Sequence, residues 1–139
     1  MSLTPHQVVL VQSTFATLQP MTATAAELFY KRLFEIDPGA AALFKADMQQ
    51  QGRKFMQVLA VAVGSLSNMP TLVPIVQRLG LRHAAYGVDA QHYDSVQQAL
   101  LWTLALILQD EYTAEVRSAW VTAYAMLAGV MKEAAWGAA

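Results

Sequence analysis

Pro5, Pro20, Pro38, Pro70 and Pro74 punctuate a sequence whose apolar residues recur every three or four positions. No segment sustains the two-residue alternation of a half-buried strand, and neither Asn-Gly nor Asp-Gly occurs to close a hairpin. The chain must therefore bury its apolar surface as helices packed on helices. Thr4-Pro5 reads as a cap with proline at the first helical position, and Val8, Val11 and Phe15 then share a face ahead of Pro20. A second helix spans 22–36 and is broken by Asp37-Pro38-Gly39, and a short turn leads to Phe44. A third covers 48–66, with Gln51, Phe55, Leu59 and Val63 as its inward stripe. A fourth starts at Asn68-Met69-Pro70, turns Val76, Leu79 and His83 inward, and is closed by Gly87. Two more are expected over 89–109 and 113–133, with Gly137 to Ala139 as a loose tail. The prediction is one all-α domain over 1–139, with six or seven helices and short connections.

That many apolar helices need something to cover. The chain is 55% hydrophobic, yet no run approaches the roughly 18 uninterrupted apolar residues of a membrane span. The excess points to an interior sink, either a large apolar cofactor or a subunit interface. A monomer and a homodimer are both compatible with the sequence. The net charge is −1 and the nine basic residues are scattered, which argues against nucleic acid and membrane-surface partners. Without cysteine there are no disulfides, thiolate metal sites or cysteine nucleophiles. The N-terminus shows no basic-then-apolar leader, so the expected location is the cytoplasm.

His83 is the residue with most to say about chemistry. A neutral imidazole on a helix face is a good iron ligand, although a lone helical histidine is more often a hydrogen-bonded core residue. Its neighbours in sequence shift that balance. Gln51 lies thirty-two residues earlier, with Phe44 and Tyr30 before it, and Tyr93 follows ten residues later. Three stretches accompany them: Leu28 to Phe34, Asp37-Pro38 with Leu43-Phe44, and Gln51 to Met56. The Leu79-to-Val88 segment, His92-Tyr93 and Ala119-Trp120…Tyr124 complete the set.

In this order and at these spacings, the chain resembles the globin family over essentially its whole length. It is most similar to bacterial single-domain haemoglobins and to the haem module of flavohaemoglobins, with a weaker likeness to neuroglobin. The resemblance implies a globin fold around one haem b, with His83 as the proximal iron ligand and its second ring nitrogen donating to a carbonyl one turn earlier, at Leu79. Phe44 matches the ring that packs on the haem face. Tyr30 and Gln51 match the distal polar positions, where a phenol and an amide can each donate a hydrogen bond to a diatomic ligand. A tyrosine bonded to backbone, and a solvent-exposed member of the Gln49-to-Gln51 run, are the plainer readings of these two. Phe55 would crowd the ligand site. Lys54 and Arg82 would pair with haem propionates, or remain ordinary solvated charges. Val88, Val96 and Leu100 would line the apolar proximal side.

Tyr93 matches a position where flavohaemoglobins carry a tyrosine that works with a C-terminal glutamate on the proximal imidazole. The matching glutamate position falls at Ala135, and the nearest acid, Glu133, sits on a different face. That departure puts the proximal network in doubt. The implied function is high-affinity reversible binding of dioxygen, with carbon monoxide and nitric oxide as further ligands. A nitric oxide dioxygenase served by a separate reductase is the enzymatic alternative, since the sequence shows no flavin or nicotinamide domain. A gas sensor and a haem-less regulatory module complete the expectations.

Overall fold

A computed structural model describes residues 3–44 and 47–137. Among them are α1 (Pro5–Leu18), α2 (Thr22–Ile36), α3 (Met48–Gly64), α4 (Met69–Ala85), α5 (Ala90–Leu108) and α6 (Ala114–Trp136). Short 3₁₀ turns at Gln19–Met21, Pro38–Leu43 and Gln109–Glu111 fill the connections. No strand occurs among the described residues.

The ends follow from capping chemistry. Thr4 accepts from the Gln7 N–H while the Gln7 side chain returns to the Thr4 N–H. Asp89 and His92 form the same reciprocal box at the start of α5, and Thr113 caps α6 by accepting from Val116. Two boundaries differ from expectation. The third helix stops at Gly64 rather than 66, and α6 runs a turn past 133, to Trp136. Gly137 is not a loose tail but the C-cap of α6, at φ +81°. Residues 138 and 139 lie outside the described residues.

Val11, Phe15, Leu33, Leu104 and Trp120 anchor the core. The Trp120 indole N–H donates to Thr14 Oγ1 at 2.9 Å, so its buried donor is satisfied. The main packing partners are α2 with α5, α2 with α3, α4 with α6, and α1 with α6. Thus α3 is carried mainly by α2, α4 is carried mainly by α6, and a gap is left between α3 and α4.

The two helices beside that gap match their expected inward faces only in part: Val63 and Val76 are buried as expected, and the other expected positions are not. On α3 the buried stripe is Gly52, Met56 and Val63, while Gln51, Phe55 and Leu59 are only half-buried. On α4 it is Leu72, Val76 and Gly80, while Leu79 and His83 are half-buried. Close backbone approach explains both. A Cβ on Gly52 would sit 2.9 Å from the Ala26 methyl of α2, and one on Gly80 would sit 2.4 Å from the Met131 carbonyl oxygen of α6. The small residues take the packing contacts, and the chemically interesting ones turn toward the gap.

Candidate functional site

On the α2–α3 side, four of the residues singled out from sequence meet. Gln51 Nε2 donates to the Tyr30 phenol oxygen at 3.3 Å. The Tyr30 ring sits edge-on to Phe44 and Phe55, with centroids 5.2 and 5.8 Å away. Phe55 in turn stacks on Phe29 at 4.4 Å and 13°. Phe29 belongs to this wall although its spacing alone did not single it out. Burial raises the Tyr30 pKa above 10.0 and the Gln51 bond only partly offsets it, so the phenol keeps its proton. That proton is not used in the Gln51 bond, where the phenol oxygen is the acceptor.

Across the gap, α4 presents His83. Its Nδ1 lies 2.9 Å from the Leu79 carbonyl oxygen. A carbonyl can only accept, so Nδ1 carries the hydrogen and donates it, and Nε2 is left with a bare lone pair. Burial is the largest influence on this ring and lowers its pKa below 6.5. The Leu79 bond raises it in part, and the neighbouring Arg82 lowers it again. A neutral imidazole with one nitrogen tethered and the other free is the donor a divalent iron requires.

This shift has a testable sign. The folded chain binds the His83 proton more weakly than the unfolded chain does. Its contribution to stability is therefore present above pH 6.5 and is lost as pH falls through the lower folded value. Thermal unfolding of the cofactor-free protein from about pH 8 to about pH 5 is expected to show this loss, and His83→Gln to remove it. The same slope in both proteins would assign the effect to another group.

Between α3 and α4 runs an apolar slot of about 210 Å³. Val58, Val61 and Ala62 line one side, Leu72, Val76 and Leu79 the other, and Arg82 stands at one end. Lys54 is exposed one turn before Val58. Neither Lys54 nor Arg82 forms an ion pair among the described residues. An apolar slot between two helices that carry a free imidazole nitrogen and two unpaired cations suits a flat apolar group bearing a metal and acidic side chains.

Val88 and Val96 are half-buried beyond His83, and the Val88 N–H donates to the His83 carbonyl. Leu100 is buried. Tyr93 is buried on α5, and its hydroxyl has no hydrogen-bond partner among the described residues. Glu133 is exposed, and Trp136 instead packs edge-on against the Tyr93 ring at 6.1 Å, with Lys132 Nζ 5.5 Å above it. No acid of the C-terminal helix takes the place left by Ala135.

The family model described as "Globin" matches residues 27–131, which include Tyr30, Phe44, Gln51, Phe55, His83 and Tyr93. The chain belongs to the globin family. A flavohaemoprotein of Xylella fastidiosa is 34% identical over 136 residues, covering 95% of this globin and 34% of the relative. The chain thus spans about a third of the length of the flavohaemoproteins it matches. A neuroglobin of Chaenocephalus aceratus is 28% identical, covering 89% of this chain and 87% of its own. Among solved structures, an engineered carbene transferase from Rhodothermus marinus, provisionally assigned as a nitric oxide dioxygenase, superposes with a TM-score of 0.86. It is 27% identical and covers 96% of this chain and 94% of its own. Membership of the family implies haem binding, and no helix among the described residues is long and apolar enough to cross a membrane.

Proposed function

We propose that this globin, acting as one domain, holds a b-type haem through His83 and binds dioxygen reversibly, with slow release. The observation that carries this reading is the bond from Gln51 to Tyr30, which orients the phenol as an acceptor and leaves its own proton to donate. Haem, when bound, supplies a ferrous iron at which a diatomic gas can be held. His83 Nε2 would be the nitrogen that holds the iron, its tautomer set by Leu79. Tyr30 donates a hydrogen bond to the ligand, and Gln51 holds Tyr30 in place and offers its second amide hydrogen. Phe44 and Phe55 wall the distal side and exclude water. Lys54 and Arg82 neutralise the propionates. Val88, Val96, Leu100 and Tyr93 pack the proximal side.

Visible absorption of the purified protein, ferric and then reduced with and without carbon monoxide, tests the axial assignment. A five-coordinate ferrous spectrum that shifts fully with carbon monoxide is expected. A six-coordinate ferrous spectrum contradicts an open ligand site. Tyr30→Phe is expected to speed dioxygen release by about tenfold or more, because one donated bond of about 1.4 kcal/mol is a factor of ten. An unchanged off-rate removes Tyr30 from the distal role.

The flavohaemoprotein relatives and the Rhodothermus marinus chain favour a second reading, nitric oxide dioxygenation. Nitric oxide, dioxygen and one electron give nitrate, and a separate reductase provides the electron. Nitric oxide consumption that continues while an electron donor lasts supports this enzyme. A single stoichiometric burst supports storage or scavenging of dioxygen.

A further inference from the structure

The nine basic residues are scattered along the chain, but four of them share a span without acids. Between Asp47 and Asp89 there is no Asp or Glu at all, while Arg53, Lys54, Arg78 and Arg82 fall in that span. The span carries +4 and the rest of the chain −5. It contains all of α3 and α4, the two walls of the slot. All four cations are exposed. Arg53 stands one turn before Gln57, and Arg78 one turn before Arg82, so each flanks a residue that lines the slot. The same helices expose Val58 (43%), Val61 (50%), Ile75 (37%) and Leu81 (52%). On α3 and α4 themselves the charges around this apolar centre are all of one sign, which is the anatomy of a protein-docking surface.

We propose that the α3–α4 face docks an acidic electron-donating protein. This rests on the haem reading, because the slot opens between the two helices that carry Gln51 and His83. The donor loses one electron there and ferric iron becomes ferrous. Charge chooses the occupant. A two-fold contact with a second copy would set +4 against +4. A bilayer surface is a poorer match, because the apolar patch lines a concave slot and the face exposes no Trp or Phe anchor. An acidic partner gains from steering, which raises association rates by about 10- to 1,000-fold at low salt and fades with screening.

Among the described residues Arg53 and Arg78 form no hydrogen bond or ion pair with the distal cluster or His83, so they test the face without removing a group of the site. Association is measured by surface plasmon resonance on an immobilised acidic [2Fe–2S] ferredoxin, at about 20 mM and about 300 mM salt. The association rate is expected to fall steeply with salt. Arg53→Glu with Arg78→Glu is expected to lower it about tenfold or more at low salt. Lys31→Glu with Arg117→Glu, the same charge change on α2 and α6, is expected to change it by no more than about twofold. Reduction of the ferric protein by the ferredoxin should fall in parallel, while reduction by dithionite stays constant. Equal losses in both double variants, or no salt-sensitive association, overturn the proposal. So does stronger retention on phosphatidylserine-containing vesicles that the Arg53/Arg78 variant loses. The haem reading fails separately, through absence of a Soret band, and the association measurement does not depend on it.

Discussion

Replacing His83 with glycine is expected to weaken haem retention by more than about 100-fold and to abolish the five-coordinate ferrous spectrum. Loss of an outer partner of a ligand already costs about 10- to 100-fold in affinity, so loss of the ligand must exceed that. The fold itself should survive. His83 is only half-buried, on the gap side of α4, and its one protein bond is to the carbonyl of its own helix. Added imidazole should restore the five-coordinate ferrous spectrum by filling the space the side chain leaves. A variant that still binds haem with unchanged affinity and spectrum would make His83 structural and move the iron ligand elsewhere. A variant whose far-ultraviolet circular dichroism collapses would contradict the packing described for α4.

The second large effect concerns a residue with no side chain. Gly80→Ala places a methyl 2.4 Å from the Met131 carbonyl oxygen and 2.6 Å from its Cα. These are backbone atoms of a 23-residue helix and cannot step aside as a flexible side chain would. Alanine gains up to about 1 kcal/mol of helix propensity over glycine. Overpacking against fixed backbone costs about 1–3 kcal/mol or more and therefore wins. The expected outcome is a net loss of about 2 kcal/mol, or roughly 5–10 °C in Tm. Haem affinity should fall with it, because His83 lies three residues further along the displaced helix. Gly129 provides the contrast. It lies inside α6 with no atom within 4 Å of an added Cβ, so Gly129→Ala should stabilise by about 0.5–1 kcal/mol. If both alanines shift Tm in the same direction, close approach at Gly80 is not what limits the α4–α6 contact.

These two positions show what could be read from the sequence. Helix ends were legible because caps are local: Thr4, Asp89 and Thr113 stand where the structure uses them. The Tyr30–Gln51 pairing was legible as a likeness of spacing, and the bond settles which glutamine of the run faces inward. Which face of α3 and α4 goes deepest was not legible. Periodicity marks an apolar stripe but not which neighbour lies against it. The deepest contacts here are made by Gly52 and Gly80, which carry no hydrophobic signal. A half-buried stripe such as Gln51, Phe55 and Leu59 also looks like a core stripe in sequence. The acid-free span could have been found at once.

Because α3 hangs from α2 and α4 from α6, the protein erects the two banks of its slot on separate foundations. Neither bank makes its main contacts with the other, so a change in the distance between them would leave the main contacts of each in place. A rigid plate can therefore be received after the chain has folded. Once it touches both banks, it ties them together by the bridge the helices themselves lack. Loading should then show itself as one sharper cooperative transition, in which parts that had been able to move independently come undone together.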